Sequence, residues 1–253
     1  MRRIRLIVSY DGTNYCGWQI QENAVTVEGT LTDALRKWLK EDIEIIGASR
    51  TDSGVHAYGN IAVFDTNSRI PSEKFAIGLN HYLPDDIRVQ KSDEVESDYH
   101  PRYRNTEKMY EYTILNTKIN LPIYSRYSYH VYHPLDFEVM KEAAALLVGE
   151  HDFSAFCSAG SQVKSKVRTI YEVSLDKQKA MGCNGGEVIR IRVRGNGFLY
   201  NMVRIIVGTL LRVGRGFYTP EQVKEILEAK DRQAAGVTAP PQGLMLMQIE
   251  YEK

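Results

Sequence analysis

The chain has 253 residues, of which 43% are apolar and 25% are charged, a composition typical of a globular protein with one large or two modest domains. Its 32 basic residues equal its 32 acidic residues, so binding of nucleic acid would require the charges to be segregated onto different faces. It contains no apolar run long enough to span a membrane. The amino-terminal apolar run is too short for a signal peptide, and we expect a cytoplasmic protein.

The three cysteines agree with that compartment. Cys16, Cys157 and Cys183 are scattered, with no Cys-x-x-Cys pair and no nearby histidine at a spacing suited to zinc. We therefore expect neither a disulfide framework nor a metal site.

Hydrophobic periodicity predicts an order of strand, helix, two strands, helix and strand in the first half of the chain. Thr26 is a plausible N-cap for the first helix. The predicted elements are a strand at 3–9, a helix from Thr26 to about Lys40, strands at 43–48 and near 61–63, a helix from Pro71 to about Leu83, and a strand at 87–95. A further strand is predicted at 108–115, at the start of the second half.

The second half repeats this mixture after a tyrosine-rich connection over residues 116–133. Its predicted elements are a helix at 135–148, strands at 169–175 and 188–194 on either side of a turn at 183–186, a helix at 200–213, a short helix from Pro220, and a strand at 246–251. Two similar halves without a Pro- and Ser-rich linker predict an α+β fold in which one continuous sheet is flanked by helices.

A loop between two predicted strands carries Asp52, in the run Arg50-Thr51-Asp52-Ser53-Gly54-Val55-His56. An aspartate in such a loop often bonds only to its own backbone. Catalytic side chains, however, concentrate on loops that rigid strands hold in place, and Arg50 and His56 are close in sequence. Asp52 is therefore a candidate catalytic residue.

Arg204 lies in the middle of a predicted helix that is apolar on nearly every side. A buried guanidinium stays charged, so it needs a carboxylate or a polar cleft. Alternatively, its head group reaches water along an extended side chain. We hypothesise that its partner is Asp52, which would keep that carboxylate ionised, as a nucleophile requires.

Basic residues form two local groups that could contact phosphates. The strand at 188–194 alternates apolar residues with Arg190, Arg192 and Arg194, a row that is more often a solvated face. A second group precedes the strand at 169–175 and consists of Lys164, Lys166 and Arg168. The 16 tyrosines would suit the stacking of unpaired bases.

The run Gly195-Asn196-Gly197-Phe198-Leu199-Tyr200 follows a predicted strand and opens a helix, as a dinucleotide-binding fingerprint does. Tyr200 occupies the third glycine position, where its ring would block close contact between helix and strand. The surrounding βαβ alternation is also absent. A nicotinamide or flavin site is therefore disfavoured.

Several short motifs accompany the Asp52 loop in a fixed order along nearly the whole chain. They are Tyr10–Gln19, Leu83–Val89, Lys108–Tyr112, His151–Phe156, Val167–Ile170, Asn201–Arg204 and Gly243-Leu244. Together with the Asp52 loop, this ordered set resembles the tRNA pseudouridine synthase A family.

The resemblance implies roles for single residues. Asp52 matches the catalytic nucleophile, Arg50 the arginine that helps to hold the target nucleotide out of its stack, and Arg204 the arginine that pairs with the aspartate. Tyr110 matches the tyrosine that contacts the target uracil, and Leu244 resembles the apolar residue on the other side of the base. Arg168, within a matching motif, is a further candidate for substrate binding.

The resemblance also implies two RRM-like halves, residues 1–105 and 106–253, that share a mostly antiparallel sheet with the active cleft between them. Members of the family are homodimers without metal or organic cofactor, and they modify uridines at positions 38, 39 and 40 of the tRNA anticodon stem-loop. This chain departs from the family pattern at Ser49, usually Gly, at Ser53, often Ala, and at Gln242, usually an acid.

Three functions differ in what they require of these residues. An RNA-modifying isomerase accounts for Asp52, Arg204 and Tyr110 together. A non-catalytic RNA-binding module of the same fold would bind tRNA without needing a buried aspartate–arginine pair. An acid-dependent hydrolase would need a second catalytic carboxylate or a nucleophile–base pair, and neither is present at a recognisable spacing.

Overall fold

The computed structural model describes residues 1–102, 106–161, 163–182 and 185–251. It confirms the α+β class. In chain order its elements are β1 (Arg2–Tyr10), α1 (Val27–Leu39), β2 (Ile45–Gly47), β3 (His56–Thr66), α2 (Lys74–Asn80), β4 (Ile87–Val95), β5 (Thr106–Asn116), β6 (Tyr129–Val131), α3 (Phe137–Ala145), β7 (Gly149–Asp152), β8 (Val167–Lys179), β9 (Glu187–Gly195), α4 (Met202–Gly214), α5 (Pro220–Ala229) and β10 (Leu244–Tyr251).

The chain divides into two compact units, one formed by Met1–Thr106 with Met245–Lys253 and the other by Glu107–Leu244. The predicted division into 1–105 and 106–253 followed chain order and therefore placed the last strand in the second half. In the structure, β10 begins by pairing in parallel with β3, so the end of the chain belongs with the first unit.

In the first unit, β3 has antiparallel β1 along one edge, and β4 continues the sheet beyond β1. Strands β2 and β10 pair with different parts of the other edge of β3. The predicted alternation of β1 is confirmed, because Ile4, Leu6 and Val8 are fully buried while the residues between them are half-buried. The core of this unit therefore lies on one face of β1.

Helix α1 begins where the sequence predicts. The side chain of Thr26 accepts a hydrogen bond from the Gly29 amide, which satisfies one of the free donors at the helix start. The helix ends at Leu39, because Lys40 adopts a left-handed conformation with φ 58°. The Thr26 cap is thus confirmed.

Helix α2 is shorter than the predicted span from Pro71 to about Leu83. Bonds from Lys74 N to Pro71 O and from Tyr82 N to Leu79 O join residues three apart at its two ends. Such bonds form tighter turns than an α-helix allows. The helix itself therefore covers Lys74–Asn80 only.

In the second unit, the strands lie in the order β5, β9, β8 and β7, all antiparallel, and β6 adds to β5 in parallel. The apolar residues Ile189, Ile191 and Val193 of β9 are fully buried, which confirms the predicted alternation. Short strands β6 and β7 were not predicted, and β2 is shorter than the predicted strand at 43–48. Three or four residues carry too little periodicity to reveal a strand.

Helix α4 touches the chain near Val237 backbone to backbone. A Cβ atom on Gly208 would overlap the carbonyl group of Val237, and one on Gly236 would lie 2.5 Å from the Gly208 carbonyl carbon. Glycine is therefore required at both positions for this close approach. This contact keeps the chain close to α4 beyond Val237, where Ala239 N donates to Arg204 O at 3.1 Å.

Arginines on the partly exposed faces of both units are paired with carboxylates on neighbouring strands. In the second unit, Arg192 contacts Glu111 at 2.7 Å and Asp176 at 3.1 Å. The other pairs are Arg190 with Asp176 and Glu111, Arg194 with Glu107 and Glu172, Arg2 with Glu94, Arg3 with Asp65, and Arg5 with Asp93. Carboxylates thus neutralise the row on β9, which is a charge-paired face and not an open phosphate-binding surface.

No helix in the described part of the chain is long and apolar enough to cross a membrane. Cys16 is exposed and Cys157 is buried, and both are free thiols. Cys183, and with it half of the predicted turn at 183–186, lies outside the described residues.

Replacing Gly208 by alanine should lower the free energy of unfolding by about 1–3 kcal/mol, because the added methyl group forces backbone apart at the Val237 contact. This value is the net loss, after the gain of about 1 kcal/mol that alanine brings over glycine through its higher helix propensity. Urea unfolding measures it. The control is Gly214→Ala in the same helix, where the new Cβ meets movable side chains of Met140 and Leu135 and the loss should be smaller. A Gly208→Ala protein as stable as the wild type would contradict this account.

Candidate active site

Asp52 is carried by the loop that joins β2 to β3, within the first unit. Its side chain is half-buried, whereas Thr51 before it is buried and Ser53 after it is exposed. Arg50 is exposed and forms no ion pair within the described residues. The carboxylate is therefore partly shielded from solvent while the neighbouring guanidinium is accessible.

Buried hydrogen bonds hold the residue before Asp52. The hydroxyl groups of Tyr10 and Thr51 lie 2.7 Å apart, and both residues are buried. The backbone amide of Trp18 donates to Thr51 O at 3.1 Å. Thr51 is thus fixed both by its side chain and by its carbonyl group, which restricts where Asp52 can lie.

The chain over residues 15–17 supports the other side of the loop. Gly54 N and the Ser53 hydroxyl both donate to Tyr15 O, each at 3.2 Å. Gly17 has φ +85°, and a Cβ atom there would lie 2.6 Å from Thr51 O, so only glycine allows the two segments to come this close. The motif Tyr10–Gln19 therefore has a structural role in the site that its sequence did not reveal.

Strand β3 anchors both ends of the loop. The Asn60 side chain, fully buried, donates to Ser49 O at 2.9 Å. At the other end, Gly12 N donates to Nδ1 of His56 at 3.0 Å. His56, which the sequence places close to Asp52, thus helps to hold the Gly12 segment beside the loop.

Tyr110 lies on β5 in the second unit, opposite Val193 of β9. It is only 6% exposed, and its ring meets that of Phe198 edge to face at a centroid distance of 5.2 Å. Aromatic pairs in this geometry attract each other beyond their burial. The ring of Tyr110 is therefore held in a defined orientation.

Arg204 lies on α4 and is half-buried among mostly buried neighbours. Its Nε donates to Ala239 O and one of its terminal nitrogens donates to Oδ1 of Asn201, both at 2.7 Å. Neutral oxygens of its own unit therefore hold the guanidinium, which the sequence did not indicate. The hypothesised pairing with Asp52 stays a prediction.

Leu244 follows a segment that is fixed to β5 and α4. The hydroxyl of Tyr112 donates to Pro240 O at 2.7 Å, and the ring of the same tyrosine leaves no room for a Cβ atom on Gly243. Burial raises the pKa of Tyr112, while the nearby charge of Arg204 opposes that shift. Leu244 itself is 5% exposed, so its side chain is held at the end of this segment.

Arg168, on β8, is half-buried and its guanidinium is fixed by carbonyl groups. One terminal nitrogen donates to Ser165 O at 3.0 Å and to Val167 O at 2.6 Å. No carboxylate pairs with it in the described part of the chain, and burial lowers its pKa. Its side chain runs alongside Gly197, where a Cβ atom would lie 3.6 Å from Nε.

The candidates therefore fall into two sets. Asp52 and Arg50 lie in the first unit, and Tyr110, Arg168, Arg204 and Leu244 lie in the second. Within the second unit, Tyr112 and the segment from Ala239 to Gly243 connect Arg204 with Leu244.

Comparison with known proteins identifies the family. A family model described as tRNA pseudouridine synthase matches residues 6–104 and 143–252. The tRNA pseudouridine synthase A of a Thermoanaerobacter species is 49% identical over 251 residues, which cover 99% of this chain and 100% of that protein. The protein of the same name from Acetivibrio thermocellus is 47% identical with the same coverage. The chain belongs to the tRNA pseudouridine synthase family.

The family resemblance seen in the motifs is thus confirmed, and the protein is an isomerase that converts uridine to pseudouridine in tRNA. Among solved structures, the archaeal Nop10–Cbf5 complex matches with a TM-score of 0.33 and 8% identity, covering 96% of this chain and 46% of that one. That similarity is too low to support a conclusion about fold or function.

Several residues that shape the site were missed or given no role in the sequence. Tyr10, Gly17 and Asn60 hold the Asp52 loop, and Asn201 and Ala239 hold Arg204. Tyr10, Gly17 and Asn201 belong to matching motifs, which was the only available signal. Their contacts join residues that are distant in sequence or use backbone groups, so residue type alone could not assign them.

Substituting Tyr10→Phe or Thr51→Val should each lower the free energy of unfolding by about 1–2 kcal/mol, because each breaks the hydrogen bond between the two buried hydroxyl groups. The double variant should lose less than the sum, since it removes both hydroxyl groups. A double-mutant cycle in urea measures the difference. Tyr58→Phe, on an exposed tyrosine of β3, is the control and should have little effect. Strictly additive losses would show that the two hydroxyl groups do not interact.

Proposed function

We propose that this tRNA pseudouridine synthase acts on uridines of the anticodon stem-loop, at positions 38, 39 and 40, with Asp52 as its nucleophile. The observation that carries the proposal is the setting of Asp52. It is a half-buried carboxylate on a loop whose neighbouring residues are tied to the rest of the unit by buried hydrogen bonds. Such a loop positions a reacting group before substrate arrives.

The isomerisation adds no atoms to the base, and the group that it needs most from the protein is a nucleophile. Isomerisation breaks the bond between ribose C1′ and uracil N1 and forms one between C1′ and C5. The hydrogen on C5 leaves as a proton, and N1 gains one, so the base keeps the same atoms overall. Asp52 assists by adding to the pyrimidine ring or by acting at the ribose, and both routes need its carboxylate ionised.

Reaching the base requires that the uridine leave its stack. Extrusion costs a few kcal/mol, less for a base in a loop than in a helix. We propose that the exposed guanidinium of Arg50 helps to hold the extruded nucleotide. Tyr110, whose ring is oriented by Phe198, contacts the uracil on one face, and Leu244 contacts the other.

Arg204 is proposed to keep the Asp52 carboxylate ionised. This pairing follows from the resemblance and from the cost of leaving a guanidinium uncompensated in an apolar helix. An adjacent positive charge favours the ionised form of a carboxylate and lowers its pKa. The two RRM-like halves and the cleft between them belong to the same proposal.

Arg168 is proposed to bind a phosphate of the tRNA backbone. Its guanidinium is fixed by two carbonyl groups and is not neutralised by a carboxylate within the described residues. The arginines on β9, in contrast, face carboxylates on both neighbouring strands. The nearby Lys164 is exposed and adds positive charge.

We also propose a cytoplasmic homodimer, as the resemblance implies. Three apolar residues on two segments of the second unit are strongly exposed and are candidates for a subunit contact: Ile119, Ile123 and Met181. The Met181 amide donates to the Tyr124 hydroxyl at 3.1 Å, which brings the two segments together. Exposed apolar clusters of this kind often mark protein contacts.

The variant Asp52→Asn should bind tRNA like the wild type but form no pseudouridine. Removal of a nucleophile usually costs several orders of magnitude in rate, while the amide keeps the shape of the side chain. The assay uses tRNA labelled with tritium at uridine C5, because the new carbon–carbon bond displaces that hydrogen.

The matched control is Asp42→Asn, an exposed carboxylate in the same unit, which should release label at the wild-type rate. Label released by Asp52→Asn at more than a small fraction of the wild-type rate would rule out Asp52 as the nucleophile. Transcripts with single labelled uridines would locate the modified positions.

The variant Arg168→Gln should weaken tRNA binding about tenfold, because a charge-assisted hydrogen bond contributes about 1.5 kcal/mol. The slope of log affinity against log salt concentration should fall by about one, as expected for one lost phosphate contact. Arg192→Gln removes the same charge from a residue already paired with Glu111 and Asp176, and it should leave the slope unchanged. Equal effects of the two variants would contradict a specific role for Arg168.

A further inference from the structure

Asn201 precedes helix α4 in an unusual conformation. Its φ is 61°, in the left-handed region that residues other than glycine seldom occupy. Its carbonyl accepts the first helical hydrogen bond, from Ile205 N at 2.9 Å, as an N-cap residue does. Its side chain, however, makes no capping bond to the helix. An asparagine at this position most often caps the helix with its side chain, and Asn201 does not do so.

The Asn201 side chain instead joins Arg204 to Ser158. A terminal nitrogen of Arg204 donates to Oδ1 at 2.7 Å, and Nδ2 donates to the Ser158 hydroxyl oxygen at 2.9 Å. A guanidinium can only donate, so the amide oxygen must face it and the amide nitrogen must face the serine. Both polar atoms of the side chain are thereby used in one defined orientation.

Two bonds on different nitrogens restrain the orientation of the Arg204 guanidinium. Nε donates to Ala239 O, and the bond to Asn201 engages a terminal nitrogen on the same planar group. Rotation of the plane would break at least one of the two bonds. The Ala239 contact is a backbone contact, whereas Asn201 contacts the guanidinium through a side chain that substitution can remove.

Ser158 is itself held by the residue that precedes Asn201. Its amide donates to Tyr200 O at 3.1 Å, so Ser158 and the residue before Asn201 are held together. The serine hydroxyl is therefore in place to accept from Asn201, and the connection runs from Ser158 through Asn201 to Arg204.

We propose that Asn201 is a positioning residue for the isomerisation, one that sets the orientation of the Arg204 guanidinium and is held in turn by Ser158. The inference rests on the proposed role of Arg204 beside the catalytic carboxylate. A displaced guanidinium would stabilise that carboxylate less during reaction, and misplacements of about 1 Å can cost about a hundredfold in rate. The rate constant should fall while tRNA binding is kept.

The test is Asn201→Gly. Glycine adopts the left-handed conformation freely, so this variant keeps the backbone and removes only the two side-chain bonds. We expect kcat for tritium release to fall about 10- to 100-fold with KM for tRNA changed less than about twofold. Ser158→Ala, which loosens Asn201 without removing it, should lower kcat by a smaller factor with the same unchanged KM.

Asn23→Gly is the matched control, because Asn23 is an exposed asparagine with φ 59° and its replacement should leave both constants unchanged. Wild-type kcat in Asn201→Gly would overturn the inference and would show that only the backbone conformation matters. If that variant does not fold, Ser158→Ala decides in the same way, since a wild-type kcat there is the overturning result.

The role of Arg204 is tested separately by Arg204→Ala. If Arg204→Ala keeps wild-type kcat, the proposed function of Arg204 fails, and the inference fails with it. If Arg204→Ala is impaired but Asn201→Gly is not, only the inference fails. When both are impaired, the double variant should be no slower than Arg204→Ala alone, because Asn201 acts through Arg204. A further multiplicative loss would overturn the inference.

Discussion

A positive charge placed in an apolar helix has to be compensated, and this requirement organises much of the second unit. Arg204 finds oxygen atoms on Asn201 and Ala239. The Ala239 carbonyl can reach it only because α4 and the chain at residues 236–239 touch without intervening side chains, which demands glycine at 208 and 236. The bond from Arg204 to Ala239 thus depends on the same backbone contact that requires the two glycines.

In the first unit, hydrogen bonds hold the loop that carries the Asp52 carboxylate in place. The residues that flank Asp52 are tied to β1, to β3 and to the chain between β1 and α1. Each tie ends on a backbone atom or a buried hydroxyl, so little freedom remains to be lost when substrate binds. Preorganisation of this kind would suit the catalytic role proposed for Asp52.

Much of the architecture could be predicted from single elements. The alternation in β1 and β9 and the Thr26 cap follow from residue types a few positions apart, and the structure confirms them. The ends of α2 and the short strand β6 could not be predicted, because tertiary contacts decide them. The partners of Arg204 could not be predicted either. Every residue has a backbone carbonyl group, and only the fold brings that of Ala239 to Arg204. The loop setting made Asp52 a candidate catalytic residue, but the specific roles proposed for Asp52 and Tyr110 came from family motifs.

The paired arginines on the sheet faces bear on how the enzyme finds its substrate among other polyanions. Wherever a phosphate approaches Arg192, it also approaches the carboxylates of Glu111 and Asp176, so attraction and repulsion nearly cancel at a distance. A random RNA strand therefore gains little by settling on such a face. Under the proposed function, recognition of the tRNA would then rest on positions such as Arg168 that carboxylates of the described residues do not neutralise, with less long-range electrostatic attraction.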